Sequence, residues 1–551
     1  MIPTQYASGG SKIAIPGAFY SSGVVPGNTL ASQYWNWILY HLTTEFNNVL
    51  TAAGISQNSA VDNQLAAAIP VLASREVYTP TTGYTPAIGD VVELNYDGTI
   101  RKAKRTNSAV LASGSTVVCA RVAPLTATTA VIVYAVGLNL SAVVATINPF
   151  DLSITFGTPQ AVKTSTTTLS DFDISASDST HVLIVYNLTG ASYTQLSVVS
   201  LTIAGTAITV NAAVNGVAAA ARCTAYPVPG SSNVVIAYLT ANNTGYVAVI
   251  SSANTNTPVI NTPVVFTAAT LYTGLNANSH LGLTVSLNAD LIAISADDTA
   301  GAYIQINYFT LSGTAIGAVA FFDGLITSAN IGGWFVEEGP KDTWFGFSNA
   351  ILYGASIYVP YLFSFRRTAA GTLALPILAP KQLSLLPNSY EVILKPIDRA
   401  NGVFLFSANV LGADGNYWQK TIVMKRKGGS ASDQAEWDYG DELVTKGYTT
   451  QAQGGACALP GFGTIIMVQG GGTLSQAQVV TQRRRNTILG VAVDTLGTVQ
   501  RAGAVSGLSG LTQGVQYGID DNGNLTIVVG EAKIGQALST TVLDLQVIPG
   551  V

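Results

Sequence analysis

Apolar and polar residues alternate along most of the chain in short segments, which are separated by turns rich in Gly, Asn and Thr. A period of two is typical of antiparallel β-strands with one buried face. One apolar segment recurs seven times at intervals of about 51 to 62 residues, which is a spacing found in blades of repeat arrays. The copies end at Tyr134, Tyr186, Tyr238, Ser295, Phe347, Phe406 and Met467.

Each copy continues with a second alternating segment, such as those from Leu140 and Leu196, and then with a Thr/Val-rich segment such as TAITVNAAV from Thr206. We therefore predict a mainly β protein in which residues 116–485 form a seven-bladed β-propeller with four strands per blade. The seventh copy lacks a fourth strand before the chain leaves at Arg485. We expect a segment within Thr99–Ala109 to supply that strand and close the ring.

The N-terminal part of the chain has a different pattern, which predicts a helix from Gln33 to Ala53 that stops at Gly54. Its apolar residues recur in steps of four and three, as in a coiled-coil seam. We call the following five the helix stripe: Trp35, Leu39, Leu42, Phe46 and Val49. The stripe predicts self-association or docking on a larger body, and the alternative is an amphipathic helix that packs on the chain's own β domain. A shorter helix is predicted to follow, with Val61 and Leu65 on one face.

The segment from Ile2 to Ile69, with its Pro/Gly turns, its two Trp residues and the helix LTTEFNNVL, closely resembles the N-terminal virion-anchoring region of tailed-bacteriophage tail fibre proteins. The resemblance implies that residues 1–75 form a helical region that anchors the chain to a virion and joins copies of it. It also implies a homotrimer as the first expectation, with a dimer or a higher ring bound to the tail as alternatives, and with other phage tail proteins (adaptor, nozzle or baseplate) as partners.

A second resemblance concerns the end of the chain. The segments AGAVSGLSGLTQGVQYGIDDNGNLT (Ala502–Thr526) and KIGQALSTTVLDL (Lys533–Leu545) resemble a small β domain of phage fibre proteins. In such domains a segment like Gly89–Ala103 stands shortly before one like Thr487–Val493, whereas here the propeller lies between them. We therefore predict a small β domain in two parts, residues 76–115 and 486–551, that pairs Val91–Arg101 with Ile488–Val493. The propeller would be an insertion in one of its loops.

Composition narrows the function classes. Charged residues are only 10% of the chain, and the net charge is −5. A nucleic-acid partner is disfavoured because phosphate binding needs a basic face. The basic run at Arg483 is expected to be a solvated or inter-subunit strand end.

No apolar stretch is long enough to span a bilayer. The chain's start shows no secretory signal, which predicts assembly in the host cytoplasm.

Little chemistry is predicted. Cys119, Cys223 and Cys457 fall in the first strands of their copies, so we expect small buried thiols. Three scattered histidines lack metal-ligand spacing, and hydrolase elbows, phosphate-binding loops and zinc-protease motifs do not occur. The run Glu337, Glu338 and Asp342 suggests either an acid pair or, preferably, a solvated loop. The Asn522–Gly523 pair predicts a hairpin turn. We therefore expect neither an enzyme nor a cofactor or metal.

Binding is expected on the propeller loops, where the longest and most aromatic connections lie in copies four to six, and the alternative is that these aromatic residues pack between blades. Candidates for stacking on sugars or anchoring a protein are Trp334, Trp344, Tyr417, Trp418, Trp437 and Tyr439. Two function classes stay open. The chain is either a tail fibre or tail appendage that adsorbs to a host surface glycan or outer-membrane protein or carries a distal fibre, or a purely architectural collar, nozzle or capsid decoration protein. Both place it in the virion. A depolymerase is a weaker alternative.

Overall fold

The computed structural model describes most of the chain outside the N-terminal 40 residues. The described residues are 41, 42, 44–53, 55, 74–95, 98–113, 117–164, 168–189, 193–216, 220–240, 244–265, 282–287, 290–297, 303–318, 320–327, 331–338, 343–351, 358–369, 372–382, 389–399, 401–411, 415–426, 437–444, 454–460, 464–469, 476–483, 488–520, 522–527 and 534–546. Of these residues, 41, 42 and 44–52 are helical, and every other regular element that the described residues form is a strand.

The chain forms two compact units. One comprises Met1–Arg105 together with Arg485–Val551, and the other is Thr106–Arg484. The first unit begins with three short strands: β1 (Arg75–Val77), β2 (Val91–Leu94) and β3 (Ile100–Lys102). The second unit opens with β4 (Thr106–Ser113) and continues with the repeats.

Blades 1 to 4 are antiparallel sheets in which the fourth strand comes as two pieces. Their strands are β5 (Val117–Pro124), β6 (Thr129–Val136), β7 (Asn139–Ile147), β8 (Ile154–Phe156) and β9 (Gln160–Lys163); β10 (Thr168–Ala176), β11 (His181–Thr189), β12 (Tyr193–Ala204), β13 (Ala207–Val210) and β14 (Val214–Asn215); β15 (Ala220–Pro227), β16 (Val234–Thr240), β17 (Gly245–Ser251), β18 (Val259–Ile260) and β19 (Val264–Val265); β20 (Gly282–Val285), β21 (Asp290–Asp297), β22 (Tyr303–Ser312), β23 (Ala315–Ile316) and β24 (Ala320–Thr327).

Blades 5 to 7 are four-stranded sheets with an unbroken fourth strand. Their strands are β25 (Ile331–Glu338), β26 (Thr343–Ile351), β27 (Tyr358–Ala369) and β28 (Thr372–Gln382); β29 (Ser389–Asp398), β30 (Val403–Leu411), β31 (Tyr417–Arg426) and β32 (Trp437–Val444); β33 (Gly455–Ala458), β34 (Thr464–Gln469) and β35 (Gln476–Arg483), with β4 as the fourth strand. The unit is a seven-bladed propeller, and each predicted anchor segment is the second strand of its blade.

The ring closes between blade 7 and blade 1. Strand β4 pairs with β35 in antiparallel register, so the closing strand begins inside the predicted window but runs past it to Ser113. Arg483 contradicts the prediction of a solvated strand end, because it is 1% exposed and donates a 2.8 Å hydrogen bond to the Pro149 carbonyl of blade 1. Thr481 donates to the Leu152 carbonyl in the same turn at 2.8 Å. Arg483 therefore locks the ring closure.

The hydrophobic cores lie between neighbouring blades. The alternating strands of one blade pack against those of the next, because a four-stranded sheet has apolar residues on both faces. The core between blades 7 and 1 contains Leu111 of the closing strand beside Val117, Ile466 and Val479. Closure thus buries apolar side chains as well as pairing backbones.

The first unit contains two five-stranded sheets. The remaining strands are β36 (Ile488–Ala492), β37 (Thr498–Gln500), β38 (Ala502–Val505), β39 (Gln516–Ile519), β40 (Leu525–Ile527), β41 (Gly535–Ala537) and β42 (Leu543–Gln546). Their orders are β1-β37-β36-β2-β3 and β38-β42-β41-β39-β40. Val91 pairs with Val491, although the whole of Thr106–Arg484 lies between them in the sequence, as the resemblance predicts. The β39–β40 hairpin turns at Gly523, whose φ is +78°.

A buried ion pair joins two strands of the first sheet. Glu93 and Arg101 are cross-strand partners in β2 and β3, and Arg101 Nε donates to Glu93 Oε1 at 2.7 Å. Both side chains are almost fully buried. Removing one partner would leave an uncompensated charge, which is the costly way to break such a pair.

Candidate functional site

The described part of the helix stripe is partly in solvent. Leu42 and Phe46 lie one turn apart on one helix face, and each is 48% exposed. Val49 is half-buried and packs against Leu50, Ala53 and Ile55. Trp35 and Leu39 lie outside the described residues. Leu42 and Phe46 thus present an apolar surface that this chain's own described residues leave half open.

The C-terminal end of this helix is held by the small β domain. Arg75 in β1 donates from Nη1 to the Ala52 carbonyl, and its Nε donates to Gln500 Oε1 at 3.1 Å. A cation at a helix C-terminus offsets the partial negative charge of the free carbonyls. Burial lowers the pKa of Arg75 and the Asp494 carboxylate opposes that change, so the guanidinium remains charged at neutral pH.

The aromatic candidates of blade 6 do not form one group. Tyr417 begins β31 opposite Leu411, and Trp418 is opposite Val410 and half-buried. Trp437 lies opposite Arg426 at the other end of β31, so the two pairs stand roughly 20–30 Å apart along the strand. Tyr439 pairs with Met424 next to Trp437. One sugar ring cannot contact both ends, and the role of these residues in binding stays a prediction.

Blade 5 holds the other sequence candidates. Trp334 is opposite Ser348 in its innermost strand, and Trp344 is opposite Glu338. Glu337 and Glu338 end that same strand, and Asp342 lies outside the described residues. The two glutamates therefore belong to the end of the inner strand rather than to a loop, which corrects the preferred interpretation of this run.

Three blades meet at the end of their inner strands, in a place that we call the channel mouth. Tyr226 is the penultimate residue of β15, Val285 ends β20, and Arg399 directly follows β29. Arg399 Nη2 donates to the Tyr226 hydroxyl, and Nη1 donates to the Val285 carbonyl at 3.3 Å. Blade 6 is a neighbour of neither blade 3 nor blade 4, so these contacts cross the centre of the ring.

Two cations flank the Tyr226 ring at the channel mouth. The guanidinium carbon of Arg399 is 5.6 Å from the ring centroid, and the Lys395 ammonium is 5.9 Å from it. Both distances lie within the range of cation–π attraction. Tyr226 itself is buried, whereas Lys395 and Arg399 are half-buried and so remain in part accessible.

Neighbouring carboxylates are occupied by backbone and hydroxyl donors. Asp173 of blade 2 accepts from the Thr224 hydroxyl at 2.8 Å and from the Ala225 amide at 3.0 Å, both in blade 3. Asp171 accepts from the Cys223 amide at 3.2 Å. These two aspartates join the inner strands of blades 2 and 3, because each carboxylate bridges two backbones.

The cysteines are in first strands, as predicted, and they are free. Cys223 and Cys457 are buried, but Cys119 is only half-buried and accepts a contact from Arg121 Nη1 at 3.3 Å, which corrects that part of the prediction. Burial raises the pKa of the Cys457 thiol although nearby Lys395 opposes the rise, so the thiol is protonated and unreactive at neutral pH.

Among the described residues, no three His, Cys, Asp or Glu side chains are grouped as a metal site would require. No helix in the described part of the chain is both long enough and apolar enough to cross a bilayer.

Sequence reasoning missed the channel mouth. Tyr226, Lys395 and Arg399 stand at or near the ends of inner strands in different copies, so superimposing the seven repeats could have brought them to one end of the ring. Their mutual contact depends on which blades face each other across the ring.

Comparisons with known proteins add little to this picture. No protein-family model matches the sequence, and no curated protein matches it. Among solved structures, the chain is similar to a protein of unknown function from Dyadobacter fermentans, with a TM-score of 0.39 and 10% identity over 69% of this chain and 99% of the other. It is also similar to the β-propeller domain of Cps50 (Swd1) from Myceliophthora thermophila, with a TM-score of 0.37 and 10% identity over 68% of this chain and 99% of the other.

A further similar structure is a variant of the NanB sialidase from Streptococcus pneumoniae, with a TM-score of 0.38 and 10% identity over 68% of this chain and 70% of the other. Likenesses this distant carry no functional argument. The propeller assignment rests on the strand pairing described above.

Proposed function

We propose that this chain is a structural protein of a tailed-bacteriophage virion, either a tail fibre or a comparable tail appendage. Its helical N-terminus would fix it to the tail. The propeller would then be presented to the host surface or to a distal fibre. The proposal includes no catalytic activity, cofactor, nucleic-acid partner or membrane insertion.

The observation that carries the proposal is the half-exposed helix stripe. Leu42 and Phe46 are already about half buried, so covering their exposed halves would contribute about 0.7–1.5 kcal/mol for each side chain, and contact with another chain would be favourable. The resemblance of Ile2–Ile69 to virion-anchoring regions supports a tail protein or further copies of this chain as the partner. We propose a homotrimer joined along this seam.

A charge substitution in the stripe tests the anchor. The double variant Leu42→Asp/Phe46→Asp should dissociate the assembly and prevent incorporation into particles, because it places carboxylates in an apolar seam. Sedimentation would measure the mass, and immunodetection on purified particles would measure incorporation. The matched control is Asn47→Asp/Asn48→Asp, which adds the same charge off the stripe.

Electron microscopy of a particle carrying this chain separates the two function classes. Propellers that project from the tail into solvent support the appendage. Propellers enclosed by other virion proteins favour the architectural collar, nozzle or decoration protein. A stripe variant that keeps the parent's mass and the parent's incorporation would overturn the proposed anchor.

A further inference from the structure

Lys395 at the channel mouth carries a positive charge that the described residues do not neutralise with an ion pair. Arg399 already binds the Tyr226 hydroxyl and the Val285 carbonyl, so its position is fixed. Within the part of the chain that the structure describes, the Lys395 ammonium makes no hydrogen bond and no ion pair, and its one aromatic contact is Tyr226. An ammonium has three donors, so Lys395 has donors available for a ligand.

We infer that the channel mouth is a binding site for a small oxyanion-bearing ligand, either a carboxylate or a phosphate, held between Lys395 and Arg399. This site stands independently of the virion assignment, since no part of it involves the helix or the small β domain. It differs also from the aromatic candidates of blades 5 and 6.

The arrangement of the two cations favours an anion. Both lie close to the same aromatic ring, at 5.6 Å and 5.9 Å from its centroid, so two positive charges are concentrated at the channel mouth. An oxyanion there would be attracted by both charges and would form a charge-assisted hydrogen bond with the Lys395 ammonium. The ring is buried and cannot stack on a sugar, so recognition would depend on the charged group of the ligand.

The described carboxylates near the channel mouth do not form an ion pair with Lys395. Asp398, beside Arg399, accepts from the Asn401 amide at 3.1 Å and from the Asn401 side chain at 2.7 Å. Asp173 is held by Thr224 and Ala225. Glu337 and Glu338 end the inner strand of blade 5, so the test includes their removal.

The site is also pre-organised. Its groups come from the inner strands of blades 3, 4 and 6, which are fixed by pairing within their own sheets. A ligand would therefore bind without ordering a loop, and little conformational entropy would be lost.

Titration calorimetry of the full chain with four probes tests the site: glucuronate, glucose 6-phosphate, inorganic phosphate and glucose. We expect at least one anionic probe to bind while glucose does not. Lys395→Gln should weaken that binding at least about tenfold, since it removes one charge-assisted contact. Lys425→Gln, an exposed lysine of the same blade, is the matched control and should leave binding unchanged.

The pattern of binding identifies the oxyanion. Binding of glucuronate alone assigns a carboxylate, binding of the phosphate probes alone assigns a phosphate, and binding of both assigns a general oxyanion site. The variant Lys395→Gln keeps the Arg399 bridge, so it tests the site even if Arg399→Gln fails to fold. The inference is overturned if no anion binds, or if Lys395→Gln and Lys425→Gln weaken binding equally. It is also overturned if only the combined removal of Glu337 and Glu338 allows binding.

Discussion

Blades 1–4 and blades 5–7 share one four-strand plan but differ in the outermost strand. In blades 1–3 that strand is interrupted for three residues, 157–159, 211–213 and 261–263, and in blade 4 the described residues 317 and 318 interrupt it. The first residue of each gap is Gly or Asn, and its backbone amide donates a hydrogen bond to a carbonyl of the third strand. These bonds run from Gly157 to Val144, from Asn211 to Ser200, from Asn261 to Val249 and from Gly317 to Thr310. In blades 5–7 the outermost strand runs unbroken for 8 to 11 residues.

The difference shows two solutions to the same physical problem. An outermost strand has an unpaired edge on which another chain can pair. In blades 1–3 no piece of this strand is longer than four residues, so the edge is too short for stable pairing. The long β28 instead contains Pro376 and Pro380, which lack an N–H group, and β32 contains Asp438, Asp441 and Glu442. Blade 7 obtains its unbroken strand from the segment before blade 1.

The largest effect should come from the closing strand. Replacing Thr106–Ser113 by Gly/Ser residues of equal number should lower the free energy of unfolding of the propeller by at least about 3 kcal/mol, because Leu111 leaves a core and β35 loses its partner. Chemical denaturation followed by near-ultraviolet circular dichroism would measure it. The same replacement of Ala207–Val210, one piece of an interrupted strand, should cost clearly less. Equal losses would remove the distinction between the two blade types.

The interruption itself can be tested at Gly157. A Cβ there would lie 2.3 Å from the Thr206 carbonyl oxygen of blade 2, so Gly157→Val should destabilise the propeller by about 1–3 kcal/mol. Thermal unfolding measures the change. Gly230→Asn is the control, since that position has open space and a φ of +70° that Asn tolerates. An unchanged melting temperature for Gly157→Val would mean that the gap is not needed for blades to approach.

A smaller effect should distinguish the second strands of blades 1, 2 and 3. Tyr134 and Tyr186 lie directly opposite Ser141 and Ser197 in the neighbouring strand, and these serines offset part of the rise in pKa that burial gives each phenol, whereas the equivalent Tyr238 stacks on Tyr246 at 5.4 Å. Among the described residues the Tyr238 hydroxyl has no hydrogen-bond partner. Tyr134→Phe and Tyr186→Phe should each cost about 0.5–1.5 kcal/mol, and Tyr238→Phe should be neutral or stabilising. Urea denaturation of the three variants decides this, and an equal cost at all three would contradict it.

The smallest effect concerns the first turn of blade 2. Burial would raise the pKa of Asp178, but hydrogen bonds from Thr180 and the His181 ring outweigh it and bring the pKa below its usual range. A lowered carboxyl pKa stabilises the fold above the unfolded-state value, near 3.8, and this contribution is lost as pH falls through the folded-state value. Hydrogen exchange in 177–181 should therefore rise at acid pH, more than in the blade 3 turn 228–233, which has no carboxylate. Asp178→Asn should remove the pH dependence.

Features that depend on local pattern could be predicted from the sequence. The seven second strands follow from apolar segments ending at positions such as Tyr134 and Phe406, and the missing fourth strand of blade 7 requires a donor elsewhere in the chain. The pairing of Val91 with Val491 followed from a resemblance rather than from periodicity.

Features that depend on distant neighbours could not be predicted. The segment from Thr206 reads as one strand, yet it breaks at Asn211, whose side chain donates to Ser200 and Thr202 instead. Arg483 reads as a solvent-exposed cation, yet ring closure buries it against Pro149. The contact of Arg399 with Tyr226 joins residues 173 positions apart, and only the arrangement of blades brings them together.

The register of the closing strand has a mechanical consequence. Thr106 at the start of β4 lies directly opposite Gln482 near the end of β35, so the two covalent tethers of the ring enter and leave side by side. A tensile load on the propeller is therefore shared by two strands that are hydrogen-bonded to each other. A single proteolytic cut in either tether leaves the ring attached to the chain through the other.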